Sequence, residues 1–115
     1  MNNTTFSTQA DLLLSTCLNL LKRKGKDYAQ SSDDRLINFK QVGQTLGISP
    51  AMVLMVYVNK HLDSIVQAIQ ANPTCPQTYT EHLDERIQDV INYMVLLSAL
   101  IKDMHSDAQQ KAPGV

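Results

Sequence analysis

A chain of 115 residues has room for one ordinary domain with one core, so its motifs belong to a single folding unit. Ten basic against eleven acidic residues give a formal net charge of −1, which excludes a global field that would gather nucleic acid or an anionic membrane. The longest unbroken apolar run, Ala51 to Val58, is far below the ~20 residues that cross a bilayer, and Met1 to Gln9 lacks the basic-then-apolar order of a signal peptide.

These features predict a cytoplasmic protein that does not enter membranes. The two cysteines agree with that compartment: Cys17 lies in an apolar run, Cys75 in a proline-flanked loop, and neither belongs to a CxxC pair. Reduced thiols are expected.

Phe6 to Lys24 reads as the first helix, with Leu12, Leu13, Leu14, Cys17, Leu18, Leu20 and Leu21 apolar and Lys22, Arg23 and Lys24 in its last turn. Gly25 is its expected stop. Residues 26 to 32 are polar, and Ser32 or Asp33 is placed to cap a second helix reaching Leu46, whose apolar side is Leu36, Ile37, Phe39 and Val42. Gly47 ends it. Ser49-Pro50, an N-cap followed by proline at the first helical position, starts a third helix to about Ala71, which Asn72-Pro73 closes. After the loop Pro73 to Tyr79, Thr80 opens a fourth helix from Glu81 to about His105, and residues 106–115 read as a flexible tail. No repeat and no alternating strand pattern is present. The predicted fold is an all-α bundle of four main helices, forming one domain over residues 1–105.

The last two helices are asymmetric along their length. Ala51 to Val58 is apolar all round, whereas Asn59 to Gln70 gains a polar stripe; in the fourth helix Glu81, Glu85, Asp89 and Asn92 share a stripe that continues as Leu96, Ala99 and Leu100. Antiparallel pairing across the loop near Cys75 brings the apolar halves together at one end and the polar halves at the other. Counting outward from the loop sets Asp63 level with Asp89 and Lys60 level with Asn92. Several carboxylates on facing surfaces need a compensating cation, and Mg²⁺ binds through one or two carboxylates plus substrate phosphates. Asp63, Glu85 and Asp89 are therefore candidate ligands for Mg²⁺ held against a nucleotide. The alternative is that Glu81, Glu85 and Asp89 form the solvated face of an ordinary helix.

"KGKDY" at Lys24 to Tyr28, Asn38-Phe39, a lysine midway along the third helix and "DVINY" at Asp89 to Tyr93 are together similar to the all-α nucleoside triphosphate pyrophosphatase superfamily, which includes MazG and dimeric dUTPases. The pattern most resembles its phage branch, the nucleotide-modification-associated domain. The resemblance spans roughly Lys24 to Leu100. It implies a bundle that dimerises or tetramerises, binds Mg²⁺ (Mn²⁺ as an alternative), and cleaves a (deoxy)nucleoside triphosphate to monophosphate and pyrophosphate. The superfamily's ExxE and ExxD helices map onto Lys60-His61-Leu62-Asp63 and Arg86-Ile87-Gln88-Asp89, so lysine and arginine stand where acids are expected. A binding member without catalysis is the alternative.

With the resemblance adopted, Asp63, Glu85 and Asp89 are the implied catalytic and metal residues. Lys60, Lys24 and Lys26 meet phosphates, Asn38 and Asn92 read base or sugar, and Tyr93 or Tyr28 stacks on the base. Lys26, Asp27, Tyr28 and Asn38 then form a lid over the acidic crevice. Each of these residues also has a structural reading: a core-edge tyrosine, an asparagine paired with a polar neighbour, lysines that suit a helix C-terminus.

A rival reading comes from Phe39 to Lys60, which also resembles a helix-turn-helix, with Gly43, Gly47, Ile48 and Val53 at the contact, turn and core positions and Ser49 opening the recognition helix. Its outward positions, Pro50, Ala51, Leu54 and Met55, offer neither base-edge donors nor phosphate contacts, which argues against duplex DNA. A helical adaptor for another protein is the third reading. His61, His82 and His105 lack zinc-site spacing and are expected to be structural. Met52, Met55 and Met94 are expected in the core or at a subunit interface.

Overall fold

The structure, a computed structural model, describes residues 1–28, 34–77 and 83–110, with the backbone alone at 26–28. It is all-helical over these residues, in the order α1 (Asn3–Tyr28), α2 (Ile37–Leu46), α3 (Pro50–Ala71) and α4 (Leu83–Gln110), with no strand among them.

Ser49 caps α3 as its sequence requires: its hydroxyl oxygen accepts from the Met52 N–H at 3.2 Å, and Pro50 takes the first helical position. Gly47 closes α2 in the left-handed region at φ 71°, and the N–H groups of Gly47 and Ile48 both donate to the Gly43 carbonyl, at 2.8 and 3.0 Å. Gly43 is the tight point of this elbow. A Cβ there would lie 2.7 Å from the Ile48 carbonyl oxygen and 3.3 Å from the Pro50 nitrogen, both backbone atoms that cannot swing aside.

Three helix boundaries differ from the sequence-based expectation. First, α1 does not stop at Gly25 but runs on to Tyr28. The Arg35 guanidinium packs against the bare Cα of Gly25, in space that a Cβ would occupy. Second, α2 begins at Ile37, not at Ser32 or Asp33, which lie outside the described residues. Asp34 instead organises the approach, its carboxylate accepting from the Leu36 N–H at 2.9 Å. Third, α4 continues past His105 to Gln110. The expected helix start at Thr80–Glu81 and residues 111–115 fall outside the described residues.

Helices α3 and α4 run antiparallel. Tyr57 meets Tyr93 with ring centroids 6.4 Å apart and His61 approaches Asp89 at 3.6 Å, so partners on α4 run backward as α3 runs forward. Leu36, Phe39, Val53, Leu54, Val58 and Leu100 form the core where α2 crosses this pair, and Leu54 and Leu100 are wholly buried. Each stabilises the fold by about 2 kcal/mol through burial. Leu54, expected on the outward side of a recognition helix, belongs to this core instead. Lys40 ties the corner together: its ammonium donates to Asp34 at 2.6 Å and to Asp103 of α4 at 3.0 Å.

Helix α1 is attached more sparsely. Cys17 is its one buried side chain among those described, and its thiol donates to the Gln88 carbonyl of α4 at a sulfur–oxygen distance of 4.0 Å. Phe6, Leu12 and Leu14, in its first half, are exposed, and the molecule measures 58 × 31 × 28 Å. No single described helix is long and apolar enough to cross a membrane; α2 and α3 pass that test only jointly, and their axes bend by 101° between them.

Candidate functional site

All four helices contribute to a cavity of about 570 Å³ beside the core. Its floor is aromatic. Phe39 and Tyr57 lie 5.9 Å apart, Tyr57 and Tyr93 6.4 Å, and Tyr93 and the His61 ring 5.3 Å, all tilted. These contacts follow from local periodicity, since Tyr57 and His61 are one turn apart on α3 and face the single ring of Tyr93. Lys24 at the end of α1 and Arg35 ahead of α2 bring cations to the rim; Asn38, Asp89 and Asn92 complete the polar lining.

Asn92 is the least ordinary of these groups. Its side chain is only 8 % exposed, it lines the cavity, and its Oδ1 has no hydrogen-bond partner. A buried amide oxygen left unmatched costs about 1–3 kcal/mol, and such groups are rare in folded chains. The oxygen itself is sealed from solvent, so a donor supplied from the cavity would remove that cost only once the amide turns toward it.

The Arg86 guanidinium lies 3.2 Å from His61 Nδ1 and can only donate, so in this contact Nδ1 accepts. The Asp89 carboxylate, 3.6 Å from the same Nδ1, is then a close neighbour and not a hydrogen-bonded partner. Asp89 also acts across to α1: burial first, and its negative charge second, push the Cys17 thiol above its usual range and keep it protonated.

A second, more open hollow of about 720 Å³ lies between α1 and α4, lined by Arg23 and Asn19 on one side and Glu85 and Gln88 on the other. Lys24 and Asp89 line both spaces. The two hollows therefore adjoin: one aromatic, the other edged by two cations and two carboxylates.

The site residues expected from the sequence divide accordingly. Lys24, Asn38, Asp89, Asn92 and Tyr93 gather around the aromatic cavity, and Glu85 joins Lys24 and Asp89 in the second. Asp63 and Lys60 are exposed on α3 and line neither hollow. The residue of α3 that meets Asp89 is His61. Counting from the loop gave the level to within two residues, but two residues turn a helix by about 200°, and burial of Leu54 and Val58 fixes which side faces inward. The expected roles of the Lys26, Asp27 and Tyr28 side chains fall outside the described residues.

A cation site of three protein ligands is not assembled: among the described residues no three His, Cys, Asp or Glu side chains gather closely enough. What the chain does offer is Glu85 and Asp89, one turn apart on α4 and lining the same hollow. That pair fits a Mg²⁺ that keeps its waters and takes its other ligands from phosphates.

Reading by motif overlooked Arg35 and Tyr57 and assigned His61 a structural role. Tyr57 and His61 carry a detectable signal, four residues apart on one side of α3, whereas Arg35 lies ahead of α2 and belongs to no helical period. No family model, no curated protein and no solved structure matches this chain.

Proposed function

We propose that this chain binds a (deoxy)nucleoside triphosphate and acts as a Mg²⁺-dependent pyrophosphohydrolase. The observation that carries the reading is Asn92, a buried amide without a partner for its oxygen, set in a cavity floored by Phe39, Tyr57 and Tyr93. A nucleobase matches both features: its face packs on tyrosine, and its edge carries the N–H that Asn92 Oδ1 lacks and meets once the amide turns toward the cavity. The phosphates extend past Lys24 toward Arg23, where cations meet them as point charges and forks. The resemblance of "KGKDY", Asn38-Phe39 and "DVINY" to nucleoside triphosphate pyrophosphatases supports the same assignment.

In this reading Glu85 and Asp89 hold the cation that accompanies the phosphates, Mg²⁺ or Mn²⁺, which neutralises charge developing on the leaving pyrophosphate when bound. Water forms the new bond to the α-phosphorus, and the bond to the bridging oxygen of pyrophosphate breaks. Asp89 orients the water, and Lys24 holds the leaving group. Asp63 and Lys60 have no part in it.

A nucleotide panel with Mg²⁺, read by pyrophosphate release, tests the activity. One or more nucleotides should be turned over, and Asp89→Ala should abolish release; an inactive panel removes the catalytic half of the reading and leaves binding to be measured separately.

A second reading has one observation in its favour, the 101° elbow between α2 and α3, which is within the range of a helix-turn-helix. The exposed start of α3 is Met52 and Met55, side chains that cannot address base edges or phosphates. Retardation of duplex DNA that weakens steeply with salt would restore it.

A further inference from the structure

Arg35 is a cation of the aromatic cavity whose place is fixed at both ends. Its backbone lies inside the turn that Asp34 makes ahead of α2, where the Leu36 N–H donates to the Asp34 carboxylate at 2.9 Å and the Ile37 N–H to the Asp34 carbonyl at 3.2 Å. Lys40 ties that turn to Asp103 of α4. The guanidinium lies against Gly25 of α1: a Cβ built on Gly25 would stand 3.0 Å from Cζ and overlap Nη1. Glycine within a helix is unfavourable relative to alanine. Here the missing methyl leaves a seat for an arginine head that comes from another part of the chain.

Arg35 lines the cavity together with Lys24, the residue that precedes its seat. Among the described residues the ion pairs engage Lys40 and His61, and none engages Lys24 or Arg35. Asp89, the one carboxylate lining that cavity, stands instead beside His61 at 3.6 Å. Two cations on one rim without a counter-charge make a local positive field that draws an anion.

Position decides which anion. Lys24 and Asp89 line both hollows, Arg23 lines only the one between α1 and α4, and Arg35 lines only the aromatic one. A nucleotide with its base on Phe39, Tyr57 and Tyr93 and its phosphates running toward Arg23 therefore passes Arg35 first. We propose that Arg35, seated on Gly25, grips the α-phosphate, and does so for mono- and triphosphate alike; the assignment rests on the nucleotide reading above. A planar guanidinium donates two parallel hydrogen bonds to the non-bridging oxygens of one phosphate, a match that a lysine ammonium lacks. Arg35 is then a substrate-binding residue and Gly25 a positioning residue.

Calorimetric titrations in Mg²⁺ with dAMP, dCMP, dGMP, dTMP and dUMP and the matching triphosphates are the test. Arg35→Gln should weaken the mono- and the triphosphate of the bound nucleoside by a similar factor, about tenfold or more. Arg35→Lys should recover only part of that loss, and Arg23→Gln should weaken the triphosphate alone. Gly25→Ala should unseat the guanidinium and reproduce the loss with an equal or higher Tm, a combination that a merely structural glycine would not give. Should Arg35→Gln fail to fold, Gly25→Ala decides. A loss confined to the triphosphate, no monophosphate binding by the wild type, or full affinity in Gly25→Ala overturns the assignment while the nucleotide reading stands. A wild type that binds no nucleotide at all removes both.

Discussion

Along α4 the side that faces the rest of the molecule changes character near Tyr93. Toward the C-terminus, Leu96, Leu97, Leu100 and Met104 pack on the core formed with α2 and α3. Toward the N-terminus, Arg86, Asp89 and Asn92 face His61, the aromatic cavity and the hollow beside α1. One helix therefore serves two purposes in series. Its apolar half holds the fold; its polar half retains Asn92, whose amide oxygen the fold alone does not satisfy. Substitutions in the two halves should differ in sign: truncation in the first costs stability, and apolar replacement in the second costs binding alone.

The largest effect should come from the apolar half. Leu100→Ala or Leu54→Ala removes a wholly buried side chain and should lower unfolding free energy by about 2–5 kcal/mol in urea titrations. Next is the elbow that sets α2 across the pair, where Gly43→Ala forces a methyl against backbone and should cost about 1–3 kcal/mol by the same measurement. A loss below the range of ordinary surface changes would mean that the elbow opens freely and that the cavity wall built on α2 is not fixed.

Asn92→Leu sharpens the contrast. It replaces an unmatched buried amide by an apolar side chain of similar size, so thermal stability should hold or rise by up to about 1 kcal/mol. Nucleotide affinity should nonetheless fall at least tenfold, about 1.4 kcal/mol. The smallest effect belongs to the corner ion pairs. Lys40→Met should cost less than about 1 kcal/mol, since Lys40, Asp34 and Asp103 are all partly exposed.

The same corner has a pH signature. The hydrogen bond from Lys40 holds the Asp34 carboxyl below its ordinary 3.8, and the hydrogen bond to Asp34 holds the Lys40 ammonium above its ordinary 10.5. For Asp34, whose value is depressed on folding, the contribution is complete above about pH 4 and is lost as pH falls through the lowered value. For Lys40, whose value is raised on folding, it is present below about pH 10.5 and is lost as pH rises through the raised value. Lys40→Met should flatten both limbs of a stability–pH curve; identical curves for variant and wild type would show that the corner is decorative.

How much of this was legible in the sequence depended on whether a residue's role is local. The four helices, the Ser49 cap and the Gly47 stop are written in short-range spacing and appear as expected. Gly25 resembled a stop, yet α1 runs through it, and the Arg35 guanidinium lies against its bare Cα. The candidate site divides in the same way. Asn92 falls on the inner side of α4 that leads to Leu96 and Leu100, so periodicity found it, whereas Tyr93 entered through the resemblance of "DVINY". Asp63 was drawn in by counting along the chain, which measures distance from the loop and not rotation about the helix; His61 occupies the inner side instead.

The most direct measurement is a calorimetric titration of the wild type and Asn92→Leu with ribo- and deoxynucleoside triphosphates in the presence of Mg²⁺. The wild type should bind at least one of them with a Kd near the micromolar range or tighter, and Asn92→Leu should bind the same nucleotide at least tenfold more weakly with an equal or higher Tm. Binding of no nucleotide by the wild type, or equal binding by the variant, would contradict the placement of the base against Asn92.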